Sequence, residues 1–167
     1  MSIRKIVSLV AAVAFTAVSA APAFAVTVSR ADGQPMNPSG EPFSATGITV
    51  LAKGSINASC TATFNGTITA TGIVNITSTT FAGGATCGLI SGSASSGSPW
   101  TGQADSTTQL SINNAKVTVS LLGTCGPSKV VTTWSDPNSS LTFNNAVLTP
   151  DCTVSGTIGT SPKFHVQ

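Results

Sequence analysis

From Ile48 to Ala70 the chain alternates in character at almost every step. The even positions read Ile48, Val50, Ala52, Gly54, Ile56, Ala58, Cys60, Ala62, Phe64, Gly66, Ile68 and Ala70, and the odd ones between them are Thr, Ser, Asn or Lys except at Leu51. A side-chain period of two is what a β-strand with one dry and one wet face requires. A helix would scatter the same apolar groups all round its axis. The wet face is paved with hydroxyls and amides rather than charges. As one strand the 23 residues would stretch ~75 Å, far beyond the usual 3–10 residues, so the run must fold back on itself. Asn65-Gly66 marks the expected reversal. Parity is kept across it, so a three-residue turn Phe64-Asn65-Gly66 fits, with Gly66 left-handed and Phe64 at the loop tip.

The rest of the chain carries the same signal. Val26 to Ser44, with Pro35, Pro38 and Pro42, reads as an extended, loosely held segment. Val74-Asn75-Ile76 starts a strand that Gly83-Gly84 breaks, and Ser91 to Pro99 reads as a flexible loop. Ala115, Val117, Val119 and Leu121 alternate with Lys116, Thr118 and Ser120. Val130 to Trp134 is a strand ended by Asp136-Pro137-Asn138, and Leu141 to Phe143, Val154 to Ile158 and Phe164 to Val166 are shorter candidates. Many short strands between Gly, Pro and Asn turns predict an all-β fold, an antiparallel β-sandwich or barrel-like domain with two disulfides.

The first residues read as a secretory signal. Arg4 and Lys5 are the positive region, Ile6 to Ala21 the apolar region and Ala23-Phe24-Ala25 the cleavage site. The apolar region is shorter than the ~20 residues that span a bilayer. The expected organisation is a signal peptide at 1–25, an extended segment at 26–45 and one β-domain at 46–167, in a secreted protein that is not an integral membrane protein. With Arg4 and Lys5 removed, five bases face five acids. A neutral, charge-poor chain lacks the basic footprint that nucleic acid demands, and near-zero net charge favours self-association.

All four cysteines, Cys60, Cys87, Cys125 and Cys152, follow the signal, and an even count in an exported chain reads as two disulfides. The separations Cys60 to Cys87 and Cys125 to Cys152 are equal, which favours those pairs over the other two connectivities. Zinc is the competing reading, but no CxxC pair exists and the one histidine is distant.

Catalytic chemistry finds no residues. His165 alternates with Phe164 and Val166 and so falls on the wet face of a terminal strand. No GxSxG motif, calcium loop or close carboxylate pair accompanies it. The reading is therefore not an enzyme, with no catalytic residues, metal or cofactor. Trp100, after the flexible loop, and Phe64, at the expected loop tip, are the candidate interface residues; Trp134 reads as core. The threonine rows have three readings: ordinary exposed strand surface, an ice-binding face, or strands that stack edge to edge into fibres.

One family match joins these features. Phe43-Ser44-Ala45-Thr46-Gly47, Leu51-Ala52-Lys53-Gly54, Ser59-Cys60-Thr61-Ala62-Thr63-Phe64, Ile76 to Phe81, Cys87 and Ser98-Pro99-Trp100 resemble the alkane-oxidation activator (PraB-like) family of small exported bacterial proteins. The resemblance covers roughly residues 43–102, with Ser98-Pro99-Trp100 where Leu-Pro-Trp is expected. It implies a secreted protein that promotes growth on hydrocarbons, with no catalytic residues to carry over. Hydrocarbon droplets or cell-surface and matrix components are then the expected partners, through surface activity. The alternatives are a fimbrial or biofilm-matrix subunit assembling through strand edges, and a sugar-binding module built on an exposed Trp100.

Overall fold

A computed structural model describes residues 26–167; the expected export signal lies outside them. Eleven strands form: β1 (Val28–Arg30), β2 (Glu41–Lys53), β3 (Ile56–Ile68), β4 (Ile73–Ala82), β5 (Ile90–Gly92), β6 (Trp100–Ser106), β7 (Gln109–Val119), β8 (Gly123–Ser135), β9 (Ser140–Leu148), β10 (Cys152–Ser161) and β11 (Phe164–Val166). Eight of them run in the order β7-β6-β4-β3-β2-β10-β9-β8, and β8 pairs back onto β7. The wall is a closed antiparallel barrel, the barrel-like form of the expected class. Closure consumes strand edges. Among the described residues, unpaired edges persist at the three-residue strands, along the Thr77–Ala82 half of β4 beyond its pairing with β6 over Ile73–Ile76, and between β8 and β9 beyond their short ladder of Thr133–Ser135 with Ser140–Thr142.

The reversal of the long alternating run is not at Asn65-Gly66. It is at Gly54-Ser55, where a two-residue loop joins Lys53 to its partner Ile56. Gly54 at φ +58 opens the loop, as a glycine-first hairpin turn requires. Asn65-Gly66 instead lies inside β3, where a bulge shifts its register against β4. A two-residue loop pairs odd residues with even ones: Ala45 with Phe64, Thr49 with Cys60, Leu51 with Ala58. Cross-strand partners share a face, so the inward set is even in β3 but odd in β2. Ala58, Cys60, Ala62, Phe64 and Ile68 are buried as the alternation predicts, whereas Ile48 is 65% exposed and Thr49 is buried. The apolar face of the first half of the run is on the outside.

The two ends of the barrel differ in construction. Three hairpins turn at each end, β2–β3, β7–β8 and β9–β10 at one and β3–β4, β6–β7 and β8–β9 at the other, where the described chain also starts and finishes; the end without the termini is the hairpin end. At the hairpin end two disulfides act as staples. Cys60–Cys87 ties β3 to the single-turn 3-10 helix Cys87–Leu89, and Cys125–Cys152 ties β8 to β10. Each closes a 27-residue separation, worth ~3–4 kcal/mol in the chain-entropy account. At the termini end β1 pairs with β11, matching Val28 with Val166 and Arg30 with Phe164. The segment expected to be loosely held is thus pinned. Val28 is 3% exposed, and Thr27 and Gln167 exchange backbone hydrogen bonds of 2.8 and 2.9 Å. Phe164 and Val166 plug the barrel there.

Candidate functional site

Neither candidate interface residue reaches the surface. Phe64, 6% exposed, lies mid-strand on β3 and points inward; Trp100, 4% exposed, starts β6 and donates its indole N–H to Ser93 Oγ at 3.0 Å. The physical reason is the shifted reversal: with the turn at Gly54-Ser55, Phe64 is no loop tip but the centre of the barrel. Its ring meets Trp100, Phe143 and Phe81 edge-on, with centroids 5.9, 6.2 and 6.3 Å away, the arrangement that aromatic quadrupoles favour. A sugar-binding surface built on Trp100 loses its residue. Trp134 is buried as well.

Two cavities flank this aromatic centre. The lower one, toward the termini end, is lined by Phe43, Ile76, Leu110, Leu141 and Phe164; the upper by Leu51, Phe81, Val117, Val130 and Leu148; Phe64 and Ile112 belong to both. Their volumes are about 30 and 40 Å³, each roughly two to four times what one water centre needs. Two of the polar side chains on the lower wall have partners elsewhere, and Gln109 is the third polar residue there. Thr160 Oγ1 donates to Ser139 O at 3.1 Å, and Ser106 Oγ accepts the Thr108 N–H at 3.3 Å. Apart from Gln109 below and Thr49 above, the remaining lining is predominantly apolar.

The outer surface of the hairpin end is apolar in a different way. The β7–β8 hairpin turns through Ser120, Leu121 and Leu122. The alternation from Ala115 extends the strand inward-facing through Leu121, but β7 stops at Val119 and Leu121 projects into solvent, 98% exposed. Leu122 N donates to Val119 O at 3.0 Å while Leu121 sits at φ +74, the pattern of a type II turn whose third position normally holds glycine. A branched side chain there costs about 1–2 kcal/mol. Leu89 lies alongside, half exposed, its carbonyl accepting Ser120 N at 2.8 Å. Leu89, Leu121 and Leu122 therefore make one apolar tip. Its sequence signal was two adjacent leucines directly before Gly123, masked because Leu121 keeps the strand's parity.

Two ion-pair groups stand at the opposite end. Arg30 pairs with both Asp32 and Glu41, joining β1 to the start of β2. The Arg30 hydrogen bond holds the Asp32 carboxyl down to about 2, helped by the Gln34 N–H. Asp136 accepts from His165 Nδ1 at 2.7 Å, Val166 N at 2.7 Å and Trp134 Nε1 at 3.2 Å. Burial pushes its pKa up, but these hydrogen bonds outweigh burial and hold the carboxyl below the ordinary range. The pair ties β11 to the β8–β9 turn, and no nucleophile is bonded to His165 among the described residues. At the hairpin end Lys53 reaches Asp151 at 2.6 Å, so that charge is neutralised internally. Asp151 also lies within 4.8 Å of Cys125 and Cys152, but those sulfurs are bonded to each other and offer no thiolate for a metal.

A family model described as alkane oxidation protein activator PraA/PraB-like matches residues 1–167, the whole chain. No curated protein and no solved structure gives a significant match.

Proposed function

Because this chain belongs to the alkane oxidation protein activator PraA/PraB-like family, we propose that it promotes hydrocarbon use as an exported, non-enzymatic amphiphile that adsorbs at the oil–water boundary with its hairpin end first. The observation that carries this reading is the Leu89–Leu121–Leu122 tip, whose central residue is 98% exposed in a conformation leucine disfavours. Strain of that kind persists where surrounding structure enforces it and is a pointer to function.

Magnitudes support a reversible adsorber. Burying Leu121 is worth ~2 kcal/mol and the half-exposed Leu89 and Leu122 ~1 kcal/mol each. Their sum, about 4 kcal/mol, is roughly a thousandfold partition toward oil. Arg30, Asp32, Glu41, Asp136, Lys163 and His165 stand toward the termini end, which keeps that end in water, while Lys116 on β7 and the exposed Lys129 on β8 limit how deep the β7–β8 hairpin enters oil. Export is part of the proposal; two disulfides are compatible with an extracellular protein.

The test is the coarsening of hexadecane droplets with purified oxidised protein. Wild type is expected to slow coarsening, and Leu121→Asp with Leu122→Asp to lose most of that effect with an unchanged melting temperature. Droplets that coarsen equally fast with wild type and with an inert exported control would sink the proposal.

A further inference from the structure

Charge is divided unevenly around the barrel wall. The five consecutive strands β4-β3-β2-β10-β9 hold two charged residues, Glu41 and Lys53. Both are buried and ion-paired, Glu41 with Arg30 and Lys53 with Asp151 of the β9–β10 turn. On the other wall β6 carries Asp105, β7 Lys116 and β8 Lys129, and the exposed Val131 of β8 lies two residues from that lysine.

The middle of the uncharged wall is apolar. The two-residue turn at Gly54-Ser55 leaves Ile48, Val50 and Ala52 on the outside of β2, with Ile48 65% and Val50 37% exposed. They form one column, because residues two apart on a strand share a face. Hydroxyls and amides flank it. Thr61, Ser59 and Asn57 pair with the three from β3, and Ser155 and Thr153 pair with Val50 and Ala52 from β10. Part of this flank is satisfied within the molecule: the Thr46 and Thr63 hydroxyls bond at 3.1 Å and those of Thr142 and Thr157 at 2.9 Å. Hydroxyls already bonded to each other cost less to cut off from water than bare ones. A charge-free apolar centre inside a polar border is the composition of a protein–protein contact.

We infer that the outer face of β2 is a lateral contact through which two copies of this chain pair while both stand on an oil surface. The inference rests on the adsorption reading above but concerns a different part of the molecule. The size of the patch decides against a pair in free solution. A barrel wall is convex, so a partner reaches β2 and its neighbours β3 and β10, roughly 14 Å across. Over Thr46 to Ala52, roughly 23 Å of strand, that makes about 300 Å² per copy. A stable complex needs roughly 800 Å² per partner. Adsorption by the hairpin end supplies what the patch lacks. It holds the copies at one height in one orientation and raises their effective concentration. A two-fold axis along the surface normal then sets β2 of one copy against β2 of the other with both hairpin ends down. The Leu121–Leu122 tip joins β7 to β8, and β7 stands four strands from β2 round the ring of eight, so the tip keeps the oil while the flank meets its neighbour.

The experiment is thiol cross-linking on hexadecane droplets with a short bismaleimide, both native disulfides intact. Val50→Cys places a thiol at the centre of the contact, and Val131→Cys places one on the charged wall as the control. Both positions are exposed on strands, so neither change touches the core. Adsorbed Val50→Cys is expected to give about tenfold more cross-linked dimer than adsorbed Val131→Cys, and the difference should vanish in droplet-free buffer. Adding Ile48→Thr, which keeps the β-branched shape, should lower the Val50→Cys yield several-fold while the adsorbed amount stays the same. Equal yields from the two adsorbed cysteine variants would overturn the lateral contact and spare the interfacial reading. So would a Val50→Cys excess as large in buffer as on oil, which makes the pair a solution dimer. Protein that stays in the water phase overturns both readings, and the adsorbed amount, measured in the same samples, tells these failures apart.

Discussion

Leu121 and Ser139 both hold a left-handed backbone, at φ +74 and +49, at opposite ends of the same barrel. At the termini end the strained residue is repaid inside the molecule. Ser139 Oγ bonds Thr160 Oγ1 at 2.7 Å and accepts the Phe164 N–H at 2.7 Å, while its carbonyl accepts the Thr160 N–H at 2.8 Å. At the hairpin end Leu121 is strained and its side chain is bare to solvent. One end spends its irregular geometry on holding β11 in place. The other carries an apolar group that gains only from something outside the protein. The contrast separates stability from function along the barrel axis, and each end can be perturbed without the other.

The largest effect is expected at the hairpin end. Replacing Cys125 and Cys152 together by serine should destabilise by ~3–4 kcal/mol, measured by denaturant unfolding, and should lower protection of β8 and β10 amides first. If hydrogen exchange instead rises first around Val28 and Val166, the disulfide end is not an independent unit and the contrast fails.

Next comes the anchor at the termini end. Asp136→Ala strips partners from the Val166 N–H and the Trp134 indole. Loss of hydrogen bonds to a charged acceptor should cost about 1.5–3 kcal/mol, with droplet stabilisation unchanged. Acid should do the same more gently. The folded carboxyl sits below its unfolded value, so its contribution is complete above the unfolded pKa of about 3.9 and is lost as pH falls through the folded one. The protection factors of the Val166 and Gln167 amides, which allow for the slower intrinsic exchange in acid, should therefore fall on acidification below pH ~4, while those of Val119 and Leu122 at the hairpin end stay as they were.

How much of this was legible before folding turns on parity. A period of two says that a strand has two faces; it does not say which one is inside. In β3 the apolar set is the inner one. In β2 the same even-numbered set faces out, because Gly54-Ser55 reverses the chain with a two-residue loop and looks, as letters, like any other step of the alternation. Asn65-Gly66, the stronger turn signal, is spent on a bulge. That one displacement moved Phe64 from an imagined tip to the barrel centre. The equal cysteine spacings did carry information, since Cys60 bonds Cys87 and Cys125 bonds Cys152. The charged termini end and the cavities were illegible, because both depend on which strands close the ring.

The smallest expected effect is the sharpest, because glycine at the two left-handed positions should act with opposite signs. Leu121→Gly removes the Cβ that makes φ +74 costly and should stabilise by about 1 kcal/mol. It also deletes the most exposed apolar group of the tip, so droplets should coarsen faster although the protein has become more stable. Ser139→Gly relieves a similar backbone cost but takes away the hydroxyl that Phe164 N and Thr160 use. A buried N–H left without its acceptor costs about 1–3 kcal/mol, so this variant should be destabilised, with droplet behaviour unaltered. Thermal unfolding and droplet coarsening measured on the same two variants decide the matter. If Leu121→Gly loses stability, the leucine is held by contacts within the barrel end and the hairpin end is structural like the other. If it gains stability and still protects droplets, the apolar tip is not what meets the oil.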